Sequence, residues 1–167
     1  MISFLVMDVD GTLTDGKIYM GEDGEIFKAF SIKDGYGIKE LLPENDIVPI
    51  IITARNSKIL VNRCEELGIK EIHQGVRKKI ERLNEIILGY CSDVKQYSLK
   101  NVAYIGDDVI DLPCMEQVKE AGGIVGCPAD AAREVVSIAD YVSDRNGGEG
   151  AVRDFIEWLA EDRSKRK

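Results

Sequence analysis

The chain carries reactive groups at four places. Asp8-Val9-Asp10-Gly11-Thr12 sets two carboxylates two residues apart and follows them with a glycine and a hydroxyl. Thr53 offers a lone hydroxyl, Lys79 closes the basic run Arg77-Lys78-Lys79, and Gly106-Asp107-Asp108 is followed by Asp111. On extended backbone, side chains two residues apart lean the same way, so Asp8 and Asp10 converge, while Gly11 lets the chain turn away sharply. Several carboxylates in one crevice repel one another at a cost of several kcal/mol unless a cation neutralises them. The donors are hard oxygens with no His or Cys nearby. That set suits Mg²⁺, which takes one or two carboxylates and completes its shell with water and phosphate oxygens. A strand-end Asp taken singly reads as a helix N-cap; the set together reads as a metal and phosphate site.

Lys79 fits that site. Cations in the first turn of a helix oppose its dipole, which favours acidic residues there, so something other than the helix must hold at least one of the three basic side chains. A lysine beside a metal-bound phosphate offsets charge on the oxygens during transfer. Arg77 and Lys78 read as a solvated basic patch.

The elements that must position these groups follow from apolar periodicity. Ile2 to Met7, Ile47 to Ile52 and Val102 to Ile105 are almost continuously apolar, as parallel strands covered on both faces are. Ser57 to Leu67, Ile80 to Leu88, Leu112 to Glu120 and Ala151 to Leu159 read as helices, the first ending at Gly68. Lys17 to Met20 and Glu25 to Phe30 flank the turn Gly21-Glu22-Asp23-Gly24 and predict a hairpin. The fold class is α/β: a Rossmann-like wound parallel sheet with helices on both faces and a projecting β-hairpin. In such sheets ligands bind beyond the carboxyl ends of the strands, where the acidic and hydroxyl groups fall.

Composition narrows the possibilities. The 167 residues predict one domain, and 22 Lys+Arg against 30 Asp+Glu give a net charge of −8, which disfavours nucleic acid and anionic membrane as partners. The basic run Arg163, Lys165, Arg166 and Lys167 is expected to be a disordered, frayed tail. Ile2 to Met7 has no basic leader and is halted by Asp8, so neither a signal peptide nor a membrane span is expected, and the predicted location is the cytoplasm. Cys64, Cys91, Cys114 and Cys127 form no Cys-x-x-Cys pair and read as reduced structural residues. His73 is the only histidine, which disfavours a Ser-His-Asp triad or a His-rich zinc site, and no Gly-x-Gly-x-x-Gly follows the first strand.

Taken in order, Asp8-x-Asp10-Gly11-Thr12-x-Thr14, Thr53, Lys79 and Gly106-Asp107-Asp108-x-x-Asp111 resemble the four motifs of the haloacid dehalogenase superfamily of phosphohydrolases. The resemblance runs from about Phe4 to Val152 and extends to a capless branch acting on sugar-acid phosphates. It does so through Asp34-Gly35-Tyr36-Gly37-Ile38, Gln74-Gly75, the run from Asn101 to Asp108, and Gly147-Gly148-Glu149-Gly150-Ala151-Val152-Arg153. It implies an Mg²⁺-dependent phosphomonoesterase working through an aspartyl-phosphate. Asp8 would be the nucleophile and Asp10 the general acid and base, with Thr53 and Lys79 on the phosphate. Asp8, Asp10 and Asp107 would hold the metal, and Gly11 and Thr12 would line the substrate. Asp108 or Asp111 would reach the metal through water, though Asp111 equally suits a helix cap. The implied substrate is 3-deoxy-D-manno-octulosonate 8-phosphate, with a nine-carbon acylneuraminate or KDN 9-phosphate as the alternative.

Arg55 and Arg63, on the helix after Thr53, are placed to clamp a substrate carboxylate, although Arg63 also reads as an ordinary surface residue. Arginine at position 55 resembles the eight-carbon branch, whereas Thr53-Ala54-Arg55 departs from the commoner Thr-Gly-Arg. A receiver-like phospho-switch module also clusters Asp, Thr and Lys around Mg²⁺, but it carries its phosphoacceptor after a later strand. The gaps from Asp8 to Thr53 and from Thr53 to Asp107 are too short for a cap domain, so the site should stand open. Walls around a small sugar acid are then expected from neighbouring subunits, through the hairpin and the loop Arg145 to Gly150, and the resemblance points to a homotetramer.

Overall fold

The computed structural model describes residues 1–93, 95 and 98–165, with the side chains of 162–165 left out. The first apolar run forms β1 (Phe4–Met7), and it leads into the hairpin of β2 (Tyr19–Gly21) and β3 (Gly24–Phe27). A helical segment follows, made of α1 (Ile32–Tyr36), a π-helical turn (Gly37–Leu41) and α2 (Leu42–Glu44). The remaining elements alternate: β4 (Val48–Ile52), α3 (Lys58–Glu66), β5 (Glu71–His73), α4 (Lys79–Gly89), a 3₁₀ turn (Leu99–Asn101), β6 (Val102–Ile105), α5 (Leu112–Glu120), β7 (Ile124–Cys127), α6 (Arg133–Ile138), β8 (Tyr141–Val142) and α7 (Ala151–Lys165).

The large sheet runs β5-β4-β1-β6-β7-β8 with every pairing parallel, and β1 lies between β4 and β6 in matched register, Phe4 beside Val48 on one side and Val102 on the other. Asp8, Thr53 and Gly106 therefore leave the same edge of three adjacent strands. Alternate strand residues feed opposite cores, as the two-residue period requires. Leu5, Met7, Ile51 and Ile105 pack with Leu60, Phe155 and Ile156 on one face. Val6, Ile50, Ile52 and Tyr104 pack with Leu83, Ile87, Met115 and Val118 on the other.

The hairpin has shorter strands than its sequence pattern predicts, with a register irregularity at Tyr19/Met20 and a stacked Tyr19–Phe27 pair at 4.3 Å between ring centroids. The helix expected to stop at Leu159 continues to Lys165, and Arg166 and Lys167 of the expected tail lie outside the described residues.

Candidate active site

The backbone turns out of β1 at Gly11, with φ +97°, and the turn is closed by the N–H groups of Leu13 and Thr14 donating to the Val9 carbonyl. Glycine at this position answers a second demand. A Cβ on Gly11 would stand 2.0 Å from Oδ2 of Asp107, so only a bare backbone lets the Asp107 carboxylate approach β1. The hydroxyl of Thr12 donates to Asp107 Oδ1 at 3.0 Å and fixes its orientation. Thr14 is structural: its hydroxyl accepts from the N–H groups of Gly11 and Gly16 and donates to the Val9 carbonyl.

Lys79 opens α4 with its ammonium inside the protein, 2.5 Å from Asp8 Oδ1 and 2.8 Å from Asp111 Oδ1. Asp111 is fully buried. Its Oδ1 also accepts from the hydroxyl of Tyr104 at 2.6 Å, and its Oδ2 accepts from the N–H groups of Asp107 and Asp108 at 3.2 and 3.3 Å. Four donors fill the acceptor capacity of one carboxylate. Asp111 does not cap α5 with its side chain; it shapes the loop that carries Asp107 and steadies Lys79. Asp108 is exposed and accepts from the Val109 N–H.

Carboxylate oxygens of Asp8, Asp107 and Asp111 all lie within 4.8 Å of one another, with Lys79 as the ammonium among them. Burial, then repulsion from Asp111, raises the Asp8 carboxyl to about 6 even against Lys79. Burial, then the charges of Asp8 and Asp111, raises Asp107 to about 8. The cluster thus holds more negative charge than Lys79 balances, and its hard oxygens suit Mg²⁺, with Asp8 and Asp107 as carboxylate ligands.

Thr53 is buried at the end of β4, where its hydroxyl accepts from the Arg55 N–H at 3.4 Å. The loop after β5 braces this turn, since Gly75 N–H donates to the Arg55 carbonyl, Val76 N–H to the Thr53 carbonyl, and Gln74 Oε1 accepts from the Ser57 N–H. Arg55 reaches the site mouth, with Nε 3.8 Å from Asp10 Oδ2 and Nη2 3.3 Å from Glu25 Oε1. Arg63 is not brought to this cluster. Its guanidinium lies against Gly35 and pairs with Glu66 at 2.8 Å, on the face of α3 turned toward α1.

The loop Arg145 to Gly150 packs against the turn after β1 in its own chain. A Cβ on Gly147 would stand 1.9 Å from the Gly11 carbonyl oxygen, and Gly148 N–H donates to the Thr12 carbonyl at 3.1 Å. His73 pairs with Glu71 on β5, and the thiols of Cys64, Cys114 and Cys127 are pushed up by burial to about 11, 12 and 11. Two participants escaped sequence reasoning. Tyr104 is a tyrosine within a continuously apolar strand, a sign that its hydroxyl needs a buried partner. Lys28, just after β3, contacts Asp10 and pairs with Glu25 at 2.9 Å; on a hairpin, a lysine three residues after a glutamate reads as a solvated pair.

No family model matches the chain. It is 42% identical over 158 residues to the 3-deoxy-D-manno-octulosonate 8-phosphate phosphatase KdsC of Escherichia coli (strain K12), a match covering 95% of this chain and 79% of the relative. The crystal structure of 3-deoxy-D-manno-octulosonate 8-phosphate phosphatase from Moraxella catarrhalis, in complex with magnesium ion, phosphate ion and a KDO molecule, superposes with a TM-score of 0.85 at 34% identity, over 96% of this chain and 86% of that one. A Legionella pneumophila protein assigned to the HAD superfamily (subfamily III A) of hydrolases gives a TM-score of 0.83 at 34% identity, over 98% and 85% of the two chains.

Proposed function

The chain belongs to the 3-deoxy-D-manno-octulosonate 8-phosphate phosphatase family, within the haloacid dehalogenase superfamily, and on that premise we propose that it hydrolyses 3-deoxy-D-manno-octulosonate 8-phosphate to the free sugar acid and phosphate, with Mg²⁺ as cofactor. One observation carries the proposal: a buried Asp8–Lys79–Asp111 chain at the carboxyl edge of the central strand, with Asp107 beside it.

Asp8 attacks phosphorus and becomes the aspartyl-phosphate; its position against Lys79 holds the attacking oxygen in place. Asp10 gives its proton to the departing sugar oxygen, then takes one from the water that hydrolyses the acyl phosphate. The Thr53 hydroxyl and the Lys79 ammonium hold the phosphate oxygens, and Gly11 and Thr12 line the substrate. Asp8, Asp107 and the backbone carbonyl of Asp10 hold Mg²⁺, which when bound lowers the repulsion between the anionic nucleophile and the phosphate. Arg55, whose Nε is buried without a hydrogen-bond partner, faces the mouth, where the sugar carboxylate binds.

Asp8→Asn keeps the size of the side chain and removes the attacking charge. Phosphate release should vanish with the circular dichroism spectrum unchanged, and appreciable residual turnover would overturn the assignment. Comparing Mg²⁺-dependent phosphate release from the eight-carbon substrate with that from N-acetylneuraminate 9-phosphate and KDN 9-phosphate decides the sugar; preference for either nine-carbon substrate would overturn that part.

Neighbouring copies complete the open site in a homotetramer. Ile18, Met20, Ile26 and Phe27 are all exposed on or beside the hairpin, an apolar surface suited to contact with another copy. Sedimentation should give a tetramer, and Met20→Glu with Ile26→Glu should yield smaller species with weaker substrate binding. No described helix is long and apolar enough to cross a membrane. The enzyme works in the cytoplasm on a small molecule, its net charge of −8 ill suited to nucleic acid.

A further inference from the structure

Lys28 belongs to none of the motifs that carry the chemistry, yet its side chain is only 2% exposed. A lysine buried to that degree needs charged partners, and it has two: Oδ1 of Asp10 and Oε1 of Glu25, the latter at 2.9 Å. Glu25 is itself held from the far side. Its Oε1 accepts from Arg55 Nη2 at 3.3 Å and its Oε2 from the Ser57 hydroxyl at 2.8 Å, both on the segment leading into α3. The hairpin is therefore tied to the catalytic edge of the sheet at two points, and one of them is the carboxyl group that handles the proton.

We infer that Lys28 is a positioning residue for proton transfer: by donating to Oδ1 of Asp10 it fixes the carboxyl plane, so that Oδ2, 3.8 Å from Arg55 Nε and beyond hydrogen-bond reach of it, carries the proton to and from the reacting oxygens. The inference rests on the assignment of Asp10 as general acid. In the first step the bond from phosphorus to the sugar oxygen breaks as the bond to Asp8 forms, and the proton on Asp10 Oδ2 passes to the sugar oxygen. In the second, water adds to phosphorus, its proton returns to Asp10 Oδ2, and the Asp8 carboxylate leaves. Without Lys28, Asp10 is free to rotate and its proton is misaligned in both steps.

The leaving group separates this role from a merely structural one. A sugar alkoxide needs a proton to depart, whereas p-nitrophenolate is a stable anion and does not. Because kcat/KM covers only the steps through release of the alcohol, it reports the first transfer for both substrates. Lys28→Met in the Mg²⁺-loaded enzyme should lower kcat/KM for 3-deoxy-D-manno-octulosonate 8-phosphate about tenfold or more beyond its effect on p-nitrophenyl phosphate, within the range general acid catalysis supplies. Lys28→Arg, which keeps a donor, should recover part of the difference. Equal losses on the two substrates, or no loss, would overturn the inference. Asp10→Asn provides the control: if it fails to show the same selectivity, the general-acid assignment fails, and if it shows the selectivity while Lys28→Met does not, only the role of Lys28 fails. Should Lys28→Met not fold, Glu25→Gln loosens the same ammonium and should give the same selectivity in weaker form, and its absence would overturn the inference.

Discussion

Lys79 balances two buried carboxylates with one charge, which makes it the most exposed point of failure in the site. Lys79→Met leaves Asp8 and Asp111 facing each other without a counterion, and breaking a buried pair in this way costs about 3–5 kcal/mol. The loss should be larger at pH 8 than at pH 5, because Asp8, already raised to about 6, discharges by taking up a proton in acid. Urea unfolding of the metal-free variant at the two pH values measures it; equal losses would mean that Asp8 does not titrate there. Activity should fall with it, since the same ammonium holds Asp8, the proposed nucleophile. Tyr104 and Asp111 act more quietly. Together they fill the space beneath Lys79 and fix the backbone of Asp107, so that the metal-facing carboxylates stand on a rigid base.

Among the elements, the loop before α7 bears on the site without touching a reacting atom. Gly147 lies flat against the carbonyl of Gly11, and an added methyl would push the two loops apart. Gly147→Ala is therefore expected to lower kcat by about a hundredfold, the scale of an ångström-sized misplacement of reacting groups. Steady-state kinetics alongside a thermal melt will show whether the loss exceeds what reduced stability explains. Much of this arrangement is legible in the sequence. Continuous apolar runs mark β1, β4 and β6, whose burial on both faces admits a polar group only where it finds a buried partner, as the Tyr104 hydroxyl does in Asp111, and the acidic residues at their ends mark the site. The π-turn within the helical segment and the extra turns of α7 are not legible, because they depend on packing between elements distant in sequence. Lys28 is hidden for a related reason: only the folded position of the hairpin brings it to Asp10. Arg63 errs in the other direction, since helical spacing alone does not tell which face of α3 meets the sheet edge and which meets α1.

For the whole molecule, the acidic cluster makes stability depend on pH and metal together. Asp8 and Asp107, at about 6 and about 8, sit above the ordinary carboxylate value of 3.8, so between roughly pH 4 and 8 the folded protein binds more protons than the unfolded chain. Stability of the metal-free protein must then fall as pH rises through that window and level off above it. Mg²⁺ needs the deprotonated carboxylates, so it should raise Tm strongly at pH 8 and little at pH 5; thermal melts with and without the ion test this, and an equal gain at both values would contradict it. The sheet order carries a different consequence, for synthesis. Strand β1 emerges first but pairs on one side with β6, about a hundred residues downstream. At roughly 5–20 residues per second, the nascent strand that leads into Asp8 waits on the order of 5–20 s for its second neighbour, its apolar side chains lacking one flank until then, and it is in that interval that a chaperone has most to protect.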